Sequence, residues 1–223
     1  MKGLLIKDSY LVFKQSKLLV IIAFVLMIIN AVAVFFGEEN MIGIFIIQNF
    51  AASLGLASIT NDETYKWNIY CDTLPVTRKK VVQEKYLFGF LCIFSMWFIS
   101  VLVTEISKLL SDSYNNSAIS VIDDISFDVM ILAFTMLMPT LIFPLIFKFG
   151  IVKARLLMFF VLIGCYGAFI GIGTSIFDSA GENPSVSASE NFTVIAIAVL
   201  AAAALMYTVS MLISVKIYEN KEI

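Results

Sequence analysis

Side chains able to pair charges, donate hydrogen bonds or present aromatic rings are gathered between residues 60 and 85. There Asp62, Glu63, Lys66, Trp67, Tyr70, Arg78, Lys79, Lys80 and Lys85 interrupt an otherwise apolar chain. Aromatics beside charges are equipment for recognition, because rings of this kind fill pockets on a partner. They are not equipment for covalent catalysis. The chain of 223 residues contains no histidine, which removes a histidine general base, a Ser-His-Asp arrangement and any histidine-containing metal site. Cys71, Cys92 and Cys165 lie far apart without C-x-x-C spacing and read as small packing residues, Cys71 being the one within reach of a reducing cytoplasm. No G-x-x-x-x-G-K-[ST] phosphate loop is present. No catalytic residue and no metal ligand is assigned. If the chain takes part in energised work, another polypeptide supplies the energy.

The elements that must position this polar island are membrane helices. The chain is 60% hydrophobic, with its charges confined to short blocks, the composition of a multispanning membrane protein. A bilayer core about 30 Å thick takes roughly 20 apolar helical residues to cross. Such runs occupy residues 18–36, 41–59, 86–110, 125–147, 156–177 and 192–215. The fold class expected is all-α, one domain over residues 1–223 with six transmembrane helices. Gln48 and Asn49 sit in the middle of the second run, and Gly43 and Gly55 weaken its helix propensity.

Basic residues hold short loops in the cytoplasm. They cluster before the first run, between the second and third, between the fourth and fifth, and at the end of the chain, whereas the intervening loops are acidic. Both termini are therefore expected inside. A net charge of −2 argues against nucleic acid as a partner.

The basic start and the apolar run after it imitate a secretory signal. The run is too long, however, and its small residues, Ala31 and Ala33, lie within it. Residues 1–16 are better read as an interfacial helix, with Ile6, Tyr10 and Phe13 at i, i+4 and i+7 and with Lys7 and Lys14 on another side. An ordinary lead-in to the first span is the plainer alternative.

A charge within a span costs about 2.5–3.5 kcal/mol and usually marks an ion path. These runs hold few. Asp128 begins the fourth span where water is expected to reach it, and Glu105 has Lys108 three residues on as a helical partner. A proton-coupled transporter is disfavoured. Gly164, Gly167 and Gly171 bring the spacing of close helix contacts to the fifth run, serving either packing within one chain or a dimer interface. Pro139 and Pro144 each remove a backbone donor from the fourth run, so a kink is expected there, as a hinge or simply as shape.

Within the island, Thr60 and Glu63 fit the S/T-x-x-E capping box and predict a helix start. From that start Trp67, Tyr70, Cys71 and Leu74 share one face, while Asp62, Glu63 and Lys66 are left to water. Pro75 ends the helix. Thr77 can cap the next one, but Arg78, Lys79 and Lys80 in its first turn oppose the helix dipole. Either topology and anionic headgroups or contact with a partner accounts for those charges.

The run 74–82, Leu-Pro-Val-Thr-Arg-Lys-Lys-Val-Val, followed by Lys85 and Tyr86, resembles the cytoplasmic segment of small bacterial ABC-2 type permeases, the membrane subunits of ATP-binding cassette exporters. The opening Met-Lys-Gly-Leu-Leu-Ile-Lys-Asp is similar to the start of those proteins. From Ile125 onward the likeness is one of topology.

The resemblance implies an elbow helix carrying Ile6, Lys7, Tyr10, Phe13 and Lys14. It also implies a coupling helix at 61–74, through which Asp62, Glu63, Lys66, Trp67, Tyr70, Leu74, Pro75, Arg78 and Lys79 meet an ATPase subunit. ATP and Mg would be bound by that subunit, with no cofactor in this chain. A second permease chain, as a homodimer, would complete the pathway in a bacterial cell membrane, and residues 178–191 would form an outer loop over the exit. Spans lined by Phe, Ile, Met and Leu suit a hydrophobic or amphipathic cargo. Permeases of this appearance export antimicrobial peptides, bacteriocins and phenol-soluble modulins, so peptide-toxin export and resistance are expected. A membrane immunity or scaffold protein that binds a toxin without moving it is the alternative.

Overall fold

The computed structural model describes residues 2–36, 41–71, 73, 76–110, 118–151, 153, 154, 157, 159–161, 163, 164, 167, 171 and 186–220. Their regular structure is entirely helical: α1 (Lys2–Gln15), α2 (Lys17–Phe35), α3 (Met41–Thr64), α4 (Trp67–Cys71), α5 (Arg78–Leu110), α6 (Ala118–Phe149) and α7 (Val186–Glu219). Within these helices five stretches are long and apolar enough to cross a membrane, Lys17–Phe35, Gly43–Thr64, Arg78–Leu110, Ile125–Phe149 and Thr193–Glu219. The sixth expected span, 156–177, falls largely outside the described residues, and the outer loop does so as far as residue 185.

Several helices outrun the apolar stretches that announced them. α3 continues to Thr64, α5 begins at Arg78, α6 at Ala118, and α7 at Val186, inside the segment expected as outer loop. Hydropathy marks only what must lie in hydrocarbon, whereas backbone hydrogen bonding continues a helix through polar flanks. α5, with 33 residues, is about 50 Å long at a rise of about 1.5 Å per residue. The hydrocarbon needs only about 30 Å of that. Its first eight residues, Arg78 to Lys85, hold five charges and precede the apolar part that begins at Tyr86.

α6 is the buried centre. Met130, Ile131, Leu132 and Ala133 are consecutive and all buried, as expected for a helix apolar on every side. It packs chiefly on α7, with α3 and α5 alongside. α2 turns Ile21, Phe24, Ile28 and Val32 outward, a surface suited to lipid.

Because lipid tails are as apolar as leucine, membrane helices associate through close packing and polar ties. Gly55 and Gly89 make the close approach between α3 and α5: a Cβ on Gly55 would lie 3.0 Å from the Gly89 Cα. Gly164, Gly167 and Gly171 lie among residues that are largely outside the described set, and among the described residues a Cβ on any of them would meet nothing within 4 Å. Gln48, 1% exposed, donates from Nε2 to the Ile93 carbonyl of α5 at 2.9 Å, so it is an interhelical tie. Asn49 instead bonds Phe45 O on its own helix at 2.8 Å.

α6 runs through both prolines without interruption. Pro144 has no N–H for the carbonyl of Thr140, four residues before it. Ser210 of α7 donates to that oxygen at 2.6 Å. Tyr86 Oη lies 2.8 Å from Ser210 Oγ and 2.7 Å from Ser214 Oγ, and Tyr207 donates to the Tyr86 carbonyl at 2.7 Å. With the Ser210 proton committed to Thr140, the chain of donors runs Ser214, Tyr86, Ser210, Thr140. A backbone acceptor freed by proline is thereby paired without water.

Asp128 lies well inside α6 and is 5% exposed, so the water access expected of it is corrected. α6 starts earlier than hydropathy indicated, and Trp97 Nε1 donates to the Asp128 carbonyl at 3.0 Å. The Glu105 and Lys108 pair forms as expected at 3.5 Å.

Candidate functional site

At one end of the bundle α1, the last turn of α3, α4 and the charged start of α5 converge. The local structure differs from the single capped helix expected over 61–74. Thr60 lies within α3 and donates back to Leu56 O at 2.9 Å, so α3 passes straight through the would-be capping box. The break comes at Lys66, whose φ of 53° is the left-handed conformation that ends helices. Lys66 N donates to Glu63 O at 3.2 Å. α4 is then only Trp67–Cys71, and Leu74 and Pro75 lie outside the described residues.

Glu63 does cap a helix, but a distant one. Its Oε2 accepts from the Ile151 amide at 2.8 Å, where the chain leaves α6 through Gly150 and starts a new turn, with Ala154 N donating to Gly150 O at 3.0 Å. A carboxylate on orphan amides at a helix start is favourable by charge and hydrogen bond together. Gly150 adopts φ of 76°, and a Cβ there would come within 3.0 Å of Glu63 Oε1. A side chain would be both strained and obstructed.

Asp62 points inward. It is 4% exposed, contrary to the expected water-facing position, because α3 does not restart at Thr60 and its inner face continues for another turn. There it joins Asp8 of α1, buried at 1%, in a closed box with two lysines. Lys7 Nζ lies 2.9 Å from Asp8 Oδ1 and 2.7 Å from Asp62 Oδ1. Lys85 Nζ contacts Asp8 Oδ2 and Asp62 Oδ2 and lies 2.8 Å from Ser58 Oγ, which in turn donates to Asp8 at 2.5 Å. Two positive and two negative charges thus pair off within one buried cluster, the condition under which buried ions are tolerated. Burial pushes the Asp8 carboxyl upward, yet the Lys85 charge and hydrogen bonds from Lys85, Ser58 and Lys7 hold it below its ordinary value. Burial likewise works against the Lys7 ammonium, and Asp62 and Asp8 carry it above the usual lysine value.

The box reaches the polar island through Lys7. Its Nζ sits 4.1 Å from the centre of the Trp67 ring, a cation–π contact, and Trp67 packs on Tyr70 with ring centres 5.2 Å apart. Tyr70 remains 56% exposed and Cys71 is 4% exposed. The expected common face therefore divides: Trp67 and Cys71 turn toward the bundle, and Tyr70 turns away. Burial of Cys71 also corrects its expected accessibility. Lys66 and Lys79 are exposed and Arg78 is half-buried in the first turn of α5.

On α1, Ile6, Tyr10 and Phe13 all face outward, matching an interfacial helix. Lys14 stays exposed, with its Nζ 5.7 Å from the Tyr10 ring, whereas Lys7 turns inward instead of toward a headgroup layer. Asp8 was the signal for that. It stands in the middle of the packing face formed by Leu5 and Val12, where a charge persists only with a buried partner. Lys85 of the polar island belongs to the same site, and so do Ser58 and Glu84, which nothing local in the sequence marks.

The site therefore ties four segments remote in sequence into one unit: Trp67 of α4 meets Lys7 of α1, and Lys7 and Lys85 of α5 share Asp8 of α1 and Asp62 of α3.

No curated protein and no solved structure matches this chain. The family model described as ABC-2 family transporter protein matches residues 3–219, nearly the whole length. With that match and its membrane-length helices, the chain belongs to the ABC-2 transporter family, as a membrane component of a family that implies an ATP-binding subunit.

Proposed function

We propose that the chain is the permease subunit of an ABC exporter and that the island from Asp62 to Lys79 is where the ATPase subunit docks. The observation that carries the reading is the linkage of Trp67 through Lys7 to the Asp8, Asp62 and Lys85 box. A docking element must be coupled to spans, and this one engages an elbow helix and two spans at a single point. Tyr65, Tyr70, Lys66 and Lys79 are exposed at the same end, giving aromatic and cationic groups to a partner. In this reading the end is cytoplasmic, as the basic loops demand, six spans place both termini inside, and ATP and Mg belong to the partner.

Two copies would form the pathway in a bacterial cell membrane. An apolar or amphipathic cargo, a peptide toxin or antimicrobial peptide such as a phenol-soluble modulin, suits the few fixed charges within the spans. It also suits an open apolar groove of about 410 Å³ between Phe24, Met27, Ile28 and Val32 of α2 and Val103 of α5. The test is copurification of the ATPase subunit with wild type and with Trp67→Ala plus Tyr70→Ala. Equal recovery of the ATPase would remove the docking assignment. Stimulation of ATP hydrolysis by cationic amphipathic peptides in proteoliposomes tests the cargo, and a flat response would exclude that class. Protection against a toxin that persists after ATP hydrolysis is abolished would point to an immunity protein instead.

A further inference from the structure

Glu84 adjoins the box and reaches it through Lys85, at the 4.0 Å outer limit of an ion pair. It is 1% exposed, and neither carboxyl oxygen has a hydrogen-bond donor among the described residues. Lys85 Nζ lies 4.0 Å away, too far for a hydrogen bond, and its own hydrogen bonds go to Asp8 and Ser58, with Asp62 in contact. Lys7 is engaged by Asp8, Asp62 and the Trp67 ring. The groups around Glu84 are thus Lys7 and Asp8 from α1, Asp62 and Ser58 from α3, and Lys85 from α5 itself. With both aspartates ionised the four box charges already sum to zero, so an ionised Glu84 would be an uncompensated buried charge.

An isolated buried carboxylate neutralises itself by taking up a proton. We propose that Glu84 is a proton-binding site, a neutral acid buried where α5 meets the box that joins α1 and α3. Losing the proton adds a net negative charge to a neutral buried cluster and loosens α1. Glu84 precedes the apolar part of α5, so water admitted by movement of α1 can exchange the proton. The device makes docking of the elbow depend on pH at the end of the bundle where the island lies, whatever cargo the protein moves.

Infrared spectroscopy of the full chain in lipid nanodiscs, with glutamate carboxyl-labelled by ¹³C, tests the protonation directly. Wild type should show a labelled protonated-acid carbonyl band at pH 6 that is gone at pH 9, and Glu84→Gln should lack it at both. Hydrogen exchange of the α1 amides, corrected for the intrinsic pH dependence, should rise up to tenfold per pH unit above the Glu84 titration in wild type, the limit for loss of one proton. It should stay flat in Glu84→Gln. Glu84→Met, neutral and of similar length, should behave as Glu84→Gln does. Absence of a band that depends on Glu84 at pH 6, or equal pH response of α1 in wild type and Glu84→Gln, overturns the proposal. Failure of both neutral variants to fold overturns it too, since a neutral side chain is what the site is argued to hold.

Discussion

Removing Lys85 isolates what the buried box contributes. Lys85 is 3% exposed and contacts both aspartates and Ser58. Lys85→Met keeps the side-chain length and leaves Asp8 and Asp62 to share Lys7, changing the box from neutral to a net charge of −1. Breaking a buried pair by deleting one partner costs about 3–5 kcal/mol, most of it the penalty of the stranded charge. At about 1.4 kcal/mol per tenfold, the unfolded fraction rises on the order of a hundredfold to a few thousandfold. If the stranded charge is the cause, a second change that removes it must restore stability. Lys85→Met combined with Asp8→Asn leaves the neutral Lys7 and Asp62 pair and should recover about 1–3 kcal/mol relative to the sum of the single changes. The assay is reversible denaturant unfolding in mixed micelles for wild type, both single variants and the double. A Lys85→Met cost below about 1 kcal/mol, or strictly additive effects, would refute the reasoning, because either result means the charges are solvated rather than boxed.

Further predictions concern packing, proline and acid. Gly55→Ala should destabilise by about 1–3 kcal/mol, since its Cβ would press on the Gly89 backbone at 3.0 Å. Gly167→Ala, with nothing within 4 Å among the described residues, should stay within about 0.5 kcal/mol of wild type in the isolated chain; the same unfolding measurement compares them. Ser210→Ala should cost about 1–3 kcal/mol by leaving the Thr140 carbonyl unpaired. In a double-mutant cycle Pro144→Ala, which restores the donor, should reduce that cost. Because the folded Asp8 carboxyl lies below its usual value of 3.8, the unfolded chain binds the extra proton as acid is added. The Asp8 contribution is therefore complete well above pH 3.8 and fades as pH falls below it toward the folded value. Proteolysis of α1 against pH should follow that fall in wild type and be flatter in Asp8→Asn.

Composition and spacing alone determined that this is an all-helical membrane protein with its polar chemistry at one end. Hydropathy reports what hydrocarbon requires of a backbone, so the apolar runs were legible, as was the outward face of α1 at Ile6, Tyr10 and Phe13. Helix ends were less so, because polar flanks extend a helix without changing the apolar run inside it; α3 therefore passes the capping motif at Thr60 and stops at Lys66. Partners were the least legible. Glu63 has the local pattern of a cap for its own segment, yet its carboxylate accepts from the Ile151 amide 88 residues away. Asp62 has the look of a solvated charge until α1 brings Lys7 and Asp8 beside it. The close approach of Gly55 and Gly89 has no glycine spacing within a segment to announce it, since the two stand one on each of two helices. Periodicity within a segment records which face is apolar. Only the tertiary structure decides which charges face each other across segments, since pairing depends on the relative placement of helices that no local pattern encodes.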